Sequence, residues 1–251
     1  MASRRGQVLD GVLLLDKPEG LSSNHALQRA KRALDARKAG HTGTLDPFAT
    51  GLLVCCLGRA TKIAGAMLNA DKRYDAVIAF GTETDSGDLT GNVVFQAEPD
   101  FPDVQARDLE SVLEQFRGDI EQIPPMYSAL KRDGKPLYEY ARQGIELDRP
   151  ARTVTIFELK LLSCDSKEAR IEVHCSKGTY IRTLAQDIGR LLGCGAHLKA
   201  LRRLSVGPFG LNDAVALDVL QAMDAPSSIL IDLDALPAGL LPASTNQKEE
   251  L

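Results

Sequence analysis

The hydrophobic positions predict a chain of alternating short strands and helices. GVLLLDKP, residues 11–18, is an apolar run ending at a proline and predicts a buried strand. In SSNHALQRAKRALDA the apolar positions Ala26, Leu27, Ala30 and Leu34 fall at helical spacing, with Ser22 or Ser23 placed to cap the first turn. LLVCCLG predicts a strand, ATKIAGAMLNA a helix and KRYDAVIAFG a strand. The polar, glycine-containing TETDSGDLTGN predicts a loop, followed by a strand at NVVFQAE. DVQARDLESVLEQF is helical through Val104, Leu109, Val112, Leu113 and Phe116.

From Gly118 the pattern changes. The stretch GDIEQIPPMYSALKRDGKPLYEYARQGIELDRPARTV has adjacent prolines, two basic patches, three tyrosines and one short helical run, and it predicts a weakly structured insertion. RTVTIFELKLLS and EARIEVHCS alternate apolar and polar residues and predict a hairpin around CDSKE. A helix at YIRTLAQDIGRLLG carries Leu184, Ile188, Leu191 and Leu192 on one face, a strand follows at LRRLSVGPF, and the last helix is ALDVLQAMDA. This irregular alternation with a clear antiparallel hairpin implies an α+β fold, a mixed sheet with helices packed on it.

At 251 residues the chain has room for one large domain or a domain with a small appendage, and its 44% hydrophobic and 25% charged residues are ordinary for a globular protein. No stretch approaches the ~18 consecutive apolar residues of a membrane span, and the N-terminus lacks the apolar core of a signal peptide. The five cysteines form no CxxC pair, and the four histidines show no close ligand spacing, so the expectation is reduced thiols in a cytoplasm and no metal site. A net charge of −4 speaks against indiscriminate nucleic-acid binding. Three basic clusters qualify that picture: Arg29 to Lys38, Lys131 to Lys135, and Lys199 to Arg203. Each alone reads as a solvated face; together they suit a folded, phosphate-bearing partner.

Three stretches carry candidate chemistry. In HTGTLDPFATG the acid Asp46 precedes Pro47, which disfavours helical backbone and aims the carboxylate outward, while flanking glycines allow tight turns and a close ligand. His41, Thr42 and Thr44 supply polar partners there, and Phe48 an apolar wall; the plain alternative is that Asp-Pro opens a turn. In KGTYIRTL, Tyr180 and Arg182 are two apart and would share a face in an extended segment. A guanidinium meeting Asp46 would hold that acid ionised. In DKRY, Tyr74 is either a core-edge tyrosine or a face on which a base can stack.

GVLLLDKPEGLSS, KAGHTGTLDPFATGLL, LGRATK, DKRY, SKGTYIRTLAQDIG and LRRLSVGPF, in this order, closely resemble the motifs of the bacterial TruB family, the tRNA pseudouridine-55 synthases, from about Gly11 to about Phe209. The resemblance implies the pseudouridine synthase fold, a curved, mixed and mostly antiparallel central sheet with helices on it. It implies a cofactor-free isomerase, an intramolecular transferase that converts one T-loop uridine of tRNA, position 55, by base flipping. On this resemblance Asp46 is the catalytic acid, Tyr74 stacks on the target base, Tyr180 packs beside it and Arg182 pairs with the acid. His41 matches a wedge that holds the flipped-out conformation, and Lys17 and Leu201 match residues that support the pocket.

The implied organisation is an N-terminal extension at 1–10, a catalytic domain at 11–235 with an RNA-gripping insertion at about 124–152, and a linker-like tail at 236–251 without the PUA-type domain that usually follows. The implied partner is the tRNA T-arm, bound by a cytoplasmic monomer with no metal and no membrane. A tRNA-folding chaperone role, which needs the RNA surface and not the acid, is the rival from another class. An Asp-nucleophile hydrolase ranks below both, since the DxDx(T/V) pattern of phosphoryl chemistry is missing.

Overall fold

The computed structural model describes residues 6–237 and Leu240. Part of the proposed N-terminal extension, residues 1–5, and most of the proposed tail lie outside the described residues. The chain divides into two compact units, one formed by residues 1–70 with 203–251 and the other by residues 71–202.

The first unit opens with β1 (Gly11–Lys17), α1 (Ser23–Ala33), β2 (Ala39–His41), β3 (Thr50–Leu57), a 3-10 turn at Gly58–Ile63 and α2 (Ala64–Asn69). β1 pairs antiparallel with β3 along its whole length, and β2 with the far part of β3. Because side chains alternate along a strand, each strand feeds two cores. Leu13, Leu15, Leu53 and Cys55 pack with Ala26, Leu27 and Ala30 of α1. Val12, Leu14, Leu52 and Val54 pack with Ile63, Met67, Val206 and Phe209. This two-sided burial is why β1 reads as an unbroken apolar run. Ser22 caps α1, its side chain accepting from the His25 amide, and Lys31 and Arg32 complement the dipole in the last turn. The predicted helix at ATKIAGAMLNA is two pieces, since the turn at Gly58–Ile63 takes its first residues.

The second unit contains β4 (Lys72–Phe80), β5 (Thr82–Thr84), β6 (Val93–Gln96), α3 (Ala106–Glu114), β7 (Gly118–Gln122), β8 (Lys131–Arg132), β9 (Lys135–Pro136), α4 (Leu137–Ala141), β10 (Arg152–Cys164), β11 (Glu168–Cys175), α5 (Ile181–Leu192) and most of β12 (Ala196–Val206). Its strands lie in the order β12-β4-β11-β10-β7. Tyr74, Ala76, Ile78, Ile171, Val173 and Ile156 turn one face inward, with Leu109 and Leu113 of α3 and Leu184 and Ile188 of α5 also buried. The other face is wet and carries cross-strand ion pairs: Arg73 with Glu158 and Glu172, and Arg170 forked onto Asp75.

After β12, β13 (Phe209–Gly210), β14 (Val215–Ala216) and α6 (Leu217–Ala222) close the first unit, with β14 parallel to β1.

Four expectations need correction. Thr82–Thr84, expected in a loop, is a strand paired with β6. Gly118–Gln122, expected in the weakly structured insertion, is an edge strand in register with Arg152–Ile156 of β10. Leu191, expected on the buried face of α5, is 55% exposed, because the buried stripe runs through Ile181, Leu184, Ala185 and Ile188. Tyr180 and Arg182 do not share an extended face: Tyr180 precedes the first helical residue of α5 and Arg182 is already within the helix.

Candidate active site

In the first unit the loop between β2 and β3 holds Asp46 half-buried, and both of its chain neighbours are pinned. On one side the Ser23 hydroxyl, at the start of α1, accepts from the Leu45 amide at 2.7 Å and donates to the Leu45 carbonyl at 3.0 Å. On the other, the Pro47 carbonyl accepts from the Gly20 amide at 2.8 Å and from the Lys17 amine at 3.3 Å. The Ala49 amide donates to the Asp46 carbonyl and closes a turn over the proline. Buried Leu45 and Phe48 anchor the loop on either side of the acid.

Lys17 is 0% exposed at the end of β1. Its ammonium donates to the carbonyls of Pro18 (2.8 Å), Leu21 (2.6 Å) and Pro47. Burial pushes its pKa down to about 8, and the negative charge of Asp46 opposes that fall. His41, the last residue of β2, is held below its ordinary pKa by burial and then by the Arg203 cation, so it is neutral at pH 7. Its Nδ1 and the Thr42 hydroxyl are buried without a hydrogen-bond partner.

Arg203 itself was read as part of a solvated basic cluster. It is 1% exposed, and its guanidinium donates from Nε to the Leu52 carbonyl at 2.7 Å and from Nη2 to the Gly43 carbonyl at 3.2 Å. Alternation in LRRL was the available signal, since Arg203 falls on the same strand face as Leu201, which is also buried.

In the second unit the stretch before α5 and its first turn hold Tyr180 and Arg182. Gln122, at the end of β7, brackets Tyr180 by accepting from its amide at 3.0 Å and donating to its carbonyl at 3.2 Å. Arg182 is 5% exposed and donates to the carbonyls of Ser86 (2.8 Å) and Tyr127 (2.7 Å), with the Asp88 carboxylate at 3.8 Å. The loop that receives it is rigid by its own hydrogen bonds. Asp88 Oδ1 accepts from the Ser86 hydroxyl (2.9 Å), the Thr90 hydroxyl (2.6 Å) and the Thr90 amide (2.9 Å). Tyr74 lies buried on β4, opposite Val173, and Leu201 buried on β12, the strand beside β4.

The structure thus gathers Lys17, His41 and Asp46 in one unit, and Tyr74, Tyr180, Arg182 and Leu201 in the other. Sequence reasoning missed Ser23, Gln122, Asp88 and Arg203, which orient the candidates through backbone and ion-pair contacts. Among the described residues no group of His, Cys, Asp and Glu could hold a metal ion, and no helix is long and apolar enough to cross a membrane.

Residues 31–181 match the N-terminal domain of the TruB family pseudouridylate synthases, and residues 182–245 match the tRNA pseudouridylate synthase B C-terminal domain. The chain is 72% identical over 244 residues to the tRNA pseudouridine synthase B of Bordetella avium (strain 197N), covering 97% of this chain and 100% of that protein. It is 55% identical over 249 residues to that of Aromatoleum aromaticum (strain DSM 19018 / LMG 30748 / EbN1), covering 94% and 80%. Among solved structures it superposes on a chain of a Cbf5-Nop10-Gar1 complex with a TM-score of 0.67 and 32% identity, over 85% of this chain and 54% of that one. An H/ACA RNP bound to a substrate RNA containing 2′-deoxyuridine gives a TM-score of 0.67 at 26% identity, over 91% and 61%. The chain therefore spans little more than half the length of these solved chains.

A mixed sheet with helices on it, matched in this way, is the pseudouridine synthase fold, and the class is that of enzymes isomerising uridine in RNA. The chain belongs to the TruB family of pseudouridylate synthases, and its activity is pseudouridine synthesis on tRNA.

Proposed function

We propose that the chain isomerises the T-loop uridine at tRNA position 55, with Asp46 as the catalytic acid. The observation that carries this reading is the placement of Asp46, the sole acid of its loop, between two neighbours fixed by Ser23 and Lys17. A carboxylate carried on backbone pinned at both neighbours suits a reaction that leaves little room for error: the bond from N1 to C1′ breaks, the base turns, and C5 bonds to C1′ as its proton leaves and N1 gains one. The carboxylate serves by attacking C1′ or C6, or by taking a proton from C2′. No water is consumed, so one essential acid suffices where glycoside hydrolysis needs two.

In this reading the target base is flipped out at a cost of a few kcal/mol. Tyr74 stacks on it, Tyr180 packs beside it, and neutral His41 wedges into the space it leaves. Arg182 pairs with Asp46 and keeps it ionised, while Lys17 and Leu201 support the pocket. The catalytic domain spans 11–235, and the insertion at about 124–152 grips the T-arm through Lys131, Arg132 and Lys135. A cavity of about 350 Å³ carries Arg37, Lys38 and Lys62 on its rim, beside Arg59 paired to Asp10, and offers a further partly cationic surface to the RNA backbone. The enzyme acts as a cytoplasmic monomer without a cofactor.

The test is Asp46→Asn assayed by tritium release from C5-labelled uridine in tRNA. Turnover falls by ~10⁴-fold or more while tRNA affinity holds; substantial residual turnover refutes the assignment. The same variant tested in tRNA refolding separates a chaperone role, which survives the substitution.

A further inference from the structure

We propose that Arg203 is a positioning residue for the reaction, which fixes the Asp46 carboxylate by holding the two ends of its loop. The proposal rests on Asp46 being the catalytic acid. The two acceptors, the carbonyls of Gly43 and Leu52, lie on either side of Asp46 in the chain, and one guanidinium spans them. The contact is also made backbone to backbone: Gly51 packs so closely on Arg203 that a Cβ there would overlap its carbonyl oxygen. Two further groups around the loop register the same charge, since Arg203 adds to burial in disfavouring the protonated forms of His41 and Lys17.

Stability alone explains this residue poorly. Taking a guanidinium out of water costs several kcal/mol, and apolar replacements of buried ions are often neutral or stabilising. Geometry explains it better. A planar guanidinium reaches the two carbonyls from two nitrogens held at a fixed spacing, Nε to Leu52 and Nη2 to Gly43, whereas a lysine ammonium donates from a single nitrogen and cannot hold acceptors that far apart. Displacing a reacting group by about 1 Å costs ~10²-fold in rate, so a clamp on the loop ends acts directly on the chemical step. Ser23 and Lys17 hold the residues next to Asp46, and Arg203 supplies the outer frame in which those contacts meet.

The experiment compares the parent with Arg203→Lys, Arg203→Met and Asp46→Asn in single-turnover tritium release from tRNA, recording the rate, the amplitude and the tRNA concentration at half-saturation. With Arg203→Lys the rate falls ~10- to 100-fold, while amplitude and half-saturation stay within about twofold and amide exchange across residues 42–50 becomes faster. A purely architectural role gives the reverse, a reduced amplitude at an unchanged rate, and overturns the proposal. So does an Arg203→Lys rate within about threefold of the parent, or an Arg203→Lys chain that does not fold. Arg203→Met, if it folds, shows at least as large a loss of rate as the lysine variant; a smaller loss also overturns the proposal. An active Asp46→Asn variant removes the reading beneath it, whereas an inactive Asp46→Asn beside an unaffected Arg203→Lys removes the Arg203 role alone.

Discussion

The Asp46 loop and the insertion at about 124–152 are both irregular, both rich in glycine and proline and both flanked by cations, yet their cations are spent in opposite ways. Lys17 and Arg203 are buried and ligated by main-chain carbonyls of the loop and its immediate surroundings. In the insertion Lys135 lies over the Tyr140 ring at 4.5 Å and Arg142 over Tyr138 at 5.2 Å, with Lys131, Arg132 and Asp133 exposed. A buried cation on carbonyls fixes the chain; a surface cation on an aromatic ring presents two groups that an RNA can also use. Irregular backbone therefore does not by itself signal a compliant segment. What decides is where the neighbouring charges go.

The sharpest way to break the comparison is Gly51→Ala. Gly51 has φ +98 and presses on the Arg203 backbone, so a methyl group meets both backbone strain and a clash that no rotamer relieves. We expect about 3 to 5 kcal/mol of lost stability, read from urea midpoints. A loss below about 1 kcal/mol means that the loop yields and the contrast with the insertion is overstated.

Lys17→Met gives the next effect, in the pH dependence of stability. In the unfolded chain Lys17 keeps its proton up to about 10.5, and in the folded protein it sheds it near 8. Below pH 8 both states are protonated and the burial cost is fully present. Between 8 and 10.5 the unfolded chain binds the extra proton, so this group makes the parent more stable as pH rises, by about 3 kcal/mol across the window. Paired unfolding curves near neutral pH and near pH 10 should show that slope in the parent and its loss in the variant; equal slopes argue against a buried ammonium.

The smallest effect is expected in the insertion. Tyr140→Ala removes a half-buried cation–π contact with Lys135 and costs about 1 kcal/mol of stability. The tRNA concentration at half-saturation rises ~5-fold or more through lost stacking, with the saturating rate within about twofold. A collapse in rate with unchanged half-saturation places this segment with the Asp46 loop.

The strongly periodic elements were legible in the sequence. β1, α1, the β10–β11 hairpin and α5 each bury a face long enough to impose its period. Thr82–Thr84 was not, because three residues carry no period. Gly118–Gln122 was not, because GDIEQ has one apolar residue and its strand state comes from pairing with β10. The candidate site was legible where a residue type carries the proposed chemistry, as at Asp46. It was hidden where the contact is made to main chain. Ser23 reads as a rival helix cap until Leu45 is beside it, and Arg203 reads as one more surface cation until the carbonyls of Gly43 and Leu52 meet it. Arg182 stands out by its motif, but its support by Ser86, Tyr127 and Asp88 depends on residues 55 to 96 positions away in the chain, a closure that local pattern does not encode.

The ligands of Lys17 and Arg203 are carbonyl oxygens, which every amino acid possesses. Exchanging the side chain of Leu21 or Leu52 for another apolar one therefore leaves the oxygen in place and the grip unaltered. The fragility of the grip itself is thus concentrated in the two cations and in the glycine wedged against one of them, while at the gripped positions only packing and backbone conformation restrict the side chain.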